Sequence, residues 1–374
     1  MSQLGGMYAG KIVLVGTEAG LGVRNAGQIG ASAGDMVVTV DGRLENSGSL
    51  AASAGVTVVA SGGIANSGRF HAQGDTRLAT PLDISNSGYL TARGNTTLAA
   101  GSVDSLSGSV LAAGVGDDGS IGTGGSLQAS ASGAIAARGL NLSGTNIRFD
   151  GATVSLAGSQ TGTLALHLGA SRGDVDLSGA TLGIGGTLSV ATPATLRTDS
   201  ARISAERLEL GARSLSNVGG DLLQTGTADL SILLVGDLGN ARGRIASNSR
   251  NLQVTAATLG NEDGRIEHGG DGILSVDVAT LAGSRGMILG KGTLDLRAST
   301  ATFDAGTTSA GQIRIDSPVL SIRRFAQVFT PDALLANNTL TPEILNFLAA
   351  AVAGLAMLAA RVSAHYRARL QEAR

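Results

Sequence analysis

Gly5-Gly-Met-Tyr-Ala-Gly10-Lys11 meets the spacing of a phosphate-binding glycine loop. In such a loop backbone N–H groups cradle phosphates, a lysine reaches them, and a following Ser or Thr holds Mg²⁺. Ile12 stands where that hydroxyl is required, and no strand–loop–helix pattern surrounds the motif. Gly114-Val-Gly116-Asp-Asp-Gly119 meets G-x-G-x-x-G, yet lies in a Gly- and Asp-rich loop with no helix pattern after it. Asp117, Asp118, Asp271 and Asp277 have the oxygen chemistry of Ca²⁺ ligands but lack the tandem spacing of a calcium-binding coil. His71, His167, His268 and His365 are scattered, which predicts neither a metal centre nor an acid–base site. Asp174 and Asp176 are spaced to share one strand face, as glycan-cleaving carboxylates must, but no aromatic platform for a sugar ring lies near them. Arg172-Gly173-Asp174 is an integrin-type tripeptide in a turn, read either as a receptor contact or as an ordinary turn. The expectation is a chain with no catalytic, cofactor-binding or metal-ligating residue, and so not an enzyme.

Composition points the same way. Among 374 residues there are 57 Gly, no Cys, no Trp, 3 Tyr and 6 Phe, with 43% hydrophobic and 15% charged residues. Collagen needs Gly at every third position, a disulfide scaffold needs Cys, and a disordered chain needs fewer apolar residues. The net charge of −2 comes from 27 basic and 29 acidic residues spread along the chain, with no basic stripe for nucleic acid outside the last fifteen residues. Gly-rich, aromatic-poor sequence suits tightly stacked strands with sharp turns.

The elements that hold these residues repeat. Asn25-Ala-Gly27, Asn46-Ser-Gly48, Asn66-Ser-Gly68 and Asn86-Ser-Gly88 recur every 20 or 21 residues, each two residues ahead of an apolar position. A variant returns later as Asn217-Val-Gly-Gly220, Asn240-Ala-Arg-Gly243 and Asn261-Glu-Asp-Gly264, and Gly286 closes the set. Between them, runs such as Val154-Ser-Leu156 and Leu208-Glu-Leu210 carry apolar residues at i and i+2, which is strand spacing. Such strands are too short for a free sheet, and their turns are too short for crossover helices. Stacking in parallel, each strand against its equivalent one repeat away, buries every apolar face. The fold predicted is all-β: a right-handed parallel β-helix with coils of roughly 20–23 residues. Gly is expected at corners with positive φ, and Asn in a ladder from coil to coil. About 15 coils spaced roughly 4.8 Å apart make a rod of about 70 Å.

The segment from Leu4 to Gly27, the Asn-Ser-Gly-x-Leu repeats and the later Leu-Gly-Asn-x-x-Gly-x-Ile repeats resemble the filamentous haemagglutinin family of two-partner-secreted exoproteins. The resemblance covers residues 4 to about 322. It implies a shaft secreted to the bacterial surface through an outer-membrane transporter partner, with adhesion to a host-cell or bacterial receptor or glycan. A stalk for a contact-dependent growth-inhibition toxin is the alternative, and a glycan-cleaving β-helix enzyme is a more distant one. No signal peptide, no Asn-Pro-Asn secretion domain and no Val-Glu-Asn-Asn boundary are found, so the chain reads as a shaft fragment. The absence of Cys suits unfolded passage through a pore.

Domains are accordingly expected at 1–322 for the shaft, 323–340 for a linker and 341–374 for a helical tail. Thr341-Pro342-Glu343 has the form of a helix start, and the run Ile344 to Ala360 carries apolar residues three and four apart. That short C-terminal α-helix is read as a cover for the rod's open end, a membrane anchor, or a partner-binding tail.

Overall fold

In a computed structural model, the residues described are 5–18, 22–116, 118–324, 326–329 and 332–336. They form a parallel β-solenoid of about 16 turns, and every strand pairing along it is parallel. Each coil has three sides. One ladder runs through Gln28–Ala31, Ser49–Ala52, Arg69–Ala72 and Tyr89–Ala92, in register. A second runs through Met36–Val40, Val56–Ala60, Thr76–Ala79 and Thr96–Ala100. The third runs through Val23–Asn25, Leu44–Asn46, Ile64–Asn66 and Asp83–Asn86. Strand pleating turns alternate residues inward, so Met36, Val38 and Val40 are buried while Val37 and Thr39 face out.

The interior is a single apolar column about one side chain deep. Phe70 and Phe149 are its largest fully buried side chains, and Leu, Ile, Val and Ala fill most of the rest. Phe70 stacks between Leu50 and Leu90, and Phe149 between Ala129 and Leu168, so each ring takes one place in an aliphatic column. At roughly 4.8 Å per coil the stack is about 75 Å long.

Two findings differ from expectation in their physical cause. The motif glycines Gly48, Gly68, Gly88, Gly220, Gly243, Gly264 and Gly286 do not have positive φ. What excludes a side chain there is the neighbouring coil: an added Cβ would run into the carbonyl oxygen of Gly27 at Gly48, and of Asn217 at Gly243. In the C-terminal set positive φ instead occupies the position just before, at Gly219, Arg242, Asp263 and Arg285, whereas Ser47, Ser67 and Ser87 in the N-terminal set do not adopt it. None of the ladder asparagines adopts it either.

Pairing also runs past residue 322. Gln327–Phe329 continues from Thr307–Ser309, and Asp332–Ala336 from Gln312–Asp316, so strands enter the stretch read as a linker. The expected C-terminal α-helix, within 341–374, lies outside the described residues, and the described residues contain no helix.

Glycines with and without a close neighbour separate the two roles. Gly243→Ala should destabilise the rod by about 1–3 kcal/mol, the usual cost of overpacking. Gly239→Ala, four residues away with no atom within 4 Å of the added Cβ, should be neutral or slightly stabilising. Paired denaturant melts of the two variants measure the difference.

Candidate functional site

The repeat asparagines come together inside one corner of the coil. Asn25 Nδ2 donates to Asn46 Oδ1 (2.9 Å), Asn46 to Asn66 (2.8 Å) and Asn66 to Asn86 (2.8 Å). The C-terminal set does the same, Asn217 to Asn240 and Asn240 to Asn261, each at 2.7 Å. All seven are buried. Each also bonds a carbonyl just beyond the corner in the next coil: Asn46 Nδ2 reaches Arg69 O (3.2 Å) and Asn240 Nδ2 reaches Arg265 O (3.1 Å). The side chain therefore fills the gap in backbone pairing where the chain turns from one side of the coil to the next.

Between the two sets hydroxyls at both ends and apolar residues between them take over, which the repeats alone did not reveal. Asn86 Nδ2 donates to Ser105 Oγ (3.1 Å), Ser105 meets Ser109 (2.7 Å), and Thr198 Oγ1 donates to Asn217 Oδ1 (2.7 Å). Asn141, outside the repeat, bonds Ala137 O and Thr161 Oγ1. These residues sit at inward positions on or beside registered strands, and only the register marks them out.

The tripeptide is engaged within the rod. Asp174 accepts from Thr195 N (2.9 Å) and from Arg197 Nε (3.1 Å), which ties its carboxylate to the next coil. Arg172 is exposed, and Gly173 packs against Thr153. Asp176, the second candidate carboxylate, accepts from Ser178 N (3.0 Å) in its own turn. The G-x-G-x-x-G stretch forms a small hairpin with an antiparallel bridge between Val115 and Ile121, and no helix follows. Asp118 accepts from Ser120, whose hydroxyl and amide hold its carboxyl below the usual range. Gly6–Ala9 is a strand, and Lys11 follows it at a corner. Asp271 pairs with Lys291 (2.6 Å), and among the described residues no three His, Cys, Asp or Glu converge for a metal. His268 is buried with Nε2 on Ser249 O (2.8 Å); His71 and His167 lie on outer faces, and His365 is outside the described residues.

A charge network also stacks across coils. Arg244 lies between Asp221 (3.1 Å) and Glu267 (2.8 Å), and Arg265 closes on Glu267. Burial alone would raise the Glu267 carboxyl, but hydrogen bonds from Arg244 and Arg265 outweigh it and hold the carboxyl below its usual range.

With this geometry, the chain is similar to two curated proteins. It is 40% identical over 350 residues to Toxin CdiA of Yersinia pestis, a match covering 91% of this chain and 10% of that protein. The match to tRNA nuclease CdiA-2 of Burkholderia pseudomallei (strain 1026b) is 48% over 208 residues, 55% of this chain and 6% of that one. The likeness is to CdiA. The solenoid and these relatives together fit the shaft of a two-partner-secretion exoprotein. The chain spans a tenth or less of the length of the relatives it matches. No family model and no solved structure matches. Of the three readings taken from the sequence, these relatives agree with the stalk alternative better than with the haemagglutinin-type adhesin.

Two outcomes test the corner and the charge network. Asn240→Ala strips a partner from both Asn217 and Asn261 and should cost on the order of 3 kcal/mol, more than Asn25→Ala at the start of the ladder. Melting both variants decides it. Glu267, depressed in the fold, contributes stability above its unfolded pKa of about 4.3 that is lost as pH falls through its lower folded value. Glu267→Gln should flatten the fall of the melting temperature below about pH 4.3, with little change in slope above it.

Proposed function

We propose that this chain is a passive stalk segment of a CdiA-like exoprotein, spacing whatever lies at the ends of the longer molecule. The observation that carries this reading is continuity. One uninterrupted set of parallel ladders spans about 16 coils, with the corner amides and charges spent on holding coil to coil. Similarity to Toxin CdiA extends over 91% of the chain, as a shared shaft requires. The stalk is secreted to the cell surface through a two-partner transporter and has no catalytic residue of its own. Receptor binding through Arg172-Gly173-Asp174 is not part of the proposal, because Thr195 and Arg197 occupy the Asp174 carboxylate.

The test is a graft. Replacing the matching stretch of Toxin CdiA from Yersinia pestis with this chain should leave export and displayed length unchanged. Deleting that stretch should shorten the displayed filament by about 75 Å. A graft retained inside the cell, or a deletion that leaves the length unaltered, overturns the stalk reading.

A further inference from the structure

The hairpin that interrupts the period roofs a cavity. From Thr96 to the residue paired with it, Leu127, the coil takes 31 residues instead of about 20, and the excess is the excursion after Ala113. Beneath it lies a cavity of about 330 Å³. Its floor is the outer face of the first ladder, where Arg69, Tyr89, Val110 and Leu140 are register partners in successive coils. Val115 and Ile121 form the roof. The volume is at the small end of ligand sites, which are mostly apolar with a few polar groups.

The cavity is polarised along the rod. At one end is the Arg69 guanidinium, 5.2 Å from the centre of the Tyr89 ring. Among the described residues it has no ion-pair partner, unlike Arg43 in the coil before it and Arg138 beyond the excursion. On this face the outward strand positions carry no acid from Tyr8 to Gln160, and the roof's Asp118 is turned to Ser120. At the other end Val110, Leu140 and Ile121 offer only aliphatic surface. Three coil spacings, about 14 Å, separate Arg69 from Leu140.

We propose that this cavity binds a carboxylate carried on a compact apolar or N-acylated body, with the carboxylate at Arg69 and the body between Val110, Leu140 and Ile121. An unpaired guanidinium favours a planar carboxylate, and the aliphatic end favours a group that water solvates poorly. The chemistry is shared by the terminal residue of a peptide and by an N-acylated acidic sugar. The inference rests on this cavity alone and stands or falls apart from the stalk reading.

The full chain, titrated with N-acetyl-L-leucine and separately with N-acetylneuraminic acid, gives the test, followed by NMR of the Val110, Ile121 and Leu140 methyl groups. The expected result is saturable shifts for at least one acid at millimolar concentration, and the acid that binds identifies the source. The methyl ester of that acid should bind about tenfold more weakly, and Arg69→Gln should weaken the acid about tenfold while leaving the ester unchanged. Arg69 lies on the outer face, so its variant keeps the rod, which an unchanged circular-dichroism melt verifies. No shift with either acid, equal binding of acid and ester, or an Arg69→Gln variant that binds the acid as before overturns the proposal.

Discussion

A coil that turns three corners must bring its backbone through each corner with the next coil only about 4.8 Å away. Along a strand the peptide groups pair with their equivalents, but at a corner they rotate out of line, and a buried polar group without a partner costs about 1–3 kcal/mol. The Asn column resolves this at one corner. An amide has both a donor and an acceptor, so one residue type can bond its own copy above and below without limit, with an N–H left for the adjoining carbonyl. Gly after it is required for a separate reason, since the carbonyl oxygen of the coil before fills the space of a Cβ. The two demands fall two or three positions apart and account for Asn-x-Gly in the first set and Asn-x-x-Gly in the second.

The same constraint explains what can replace asparagine. A hydroxyl donates once, so Ser105 needs Ser109 beside it, and Asn141 supplies Ala137 from a different position. Where three consecutive coils place Ala137, Leu156 and Leu177 in the column, the corner becomes apolar and fully buried instead. An alternating mixture would leave amides facing methyl groups. The column is therefore arranged in blocks: amide, then hydroxyl and apolar, then amide.

This arrangement sets how much was legible in the sequence. The period, the strands and the Asn corner could be read because Asn46, Asn66 and Asn86 are unusual residues at a fixed interval. The positive-φ column could not, because Arg242, Asp263, Arg285 and Ala305 share no side-chain chemistry, and only the backbone of the turn selects the conformation. Each such residue costs about 1–3 kcal/mol, which the pairing on either side must offset. Arg69, Tyr89, Val110 and Leu140 were invisible for another reason. They lie 20, 21 and 30 residues apart, and they become neighbours only once the excursion is recognised and the register carried across it.

The placement of that excursion follows from the corner. An insertion of a dozen residues at the Asn corner itself would separate two amides that must stay within hydrogen-bond reach. Between Ala113 and Leu127, where the column has already passed to hydroxyls, the coil can lengthen as long as the flanking strands regain register, which Val110–Ala113 and Leu140–Ser143 do. The middle of the rod is thus where the repeat constrains least. It is also where a hairpin, a cavity and an unpaired cation are found together, so the stretch that departs most from the repeat is the one with room for a chemistry of its own.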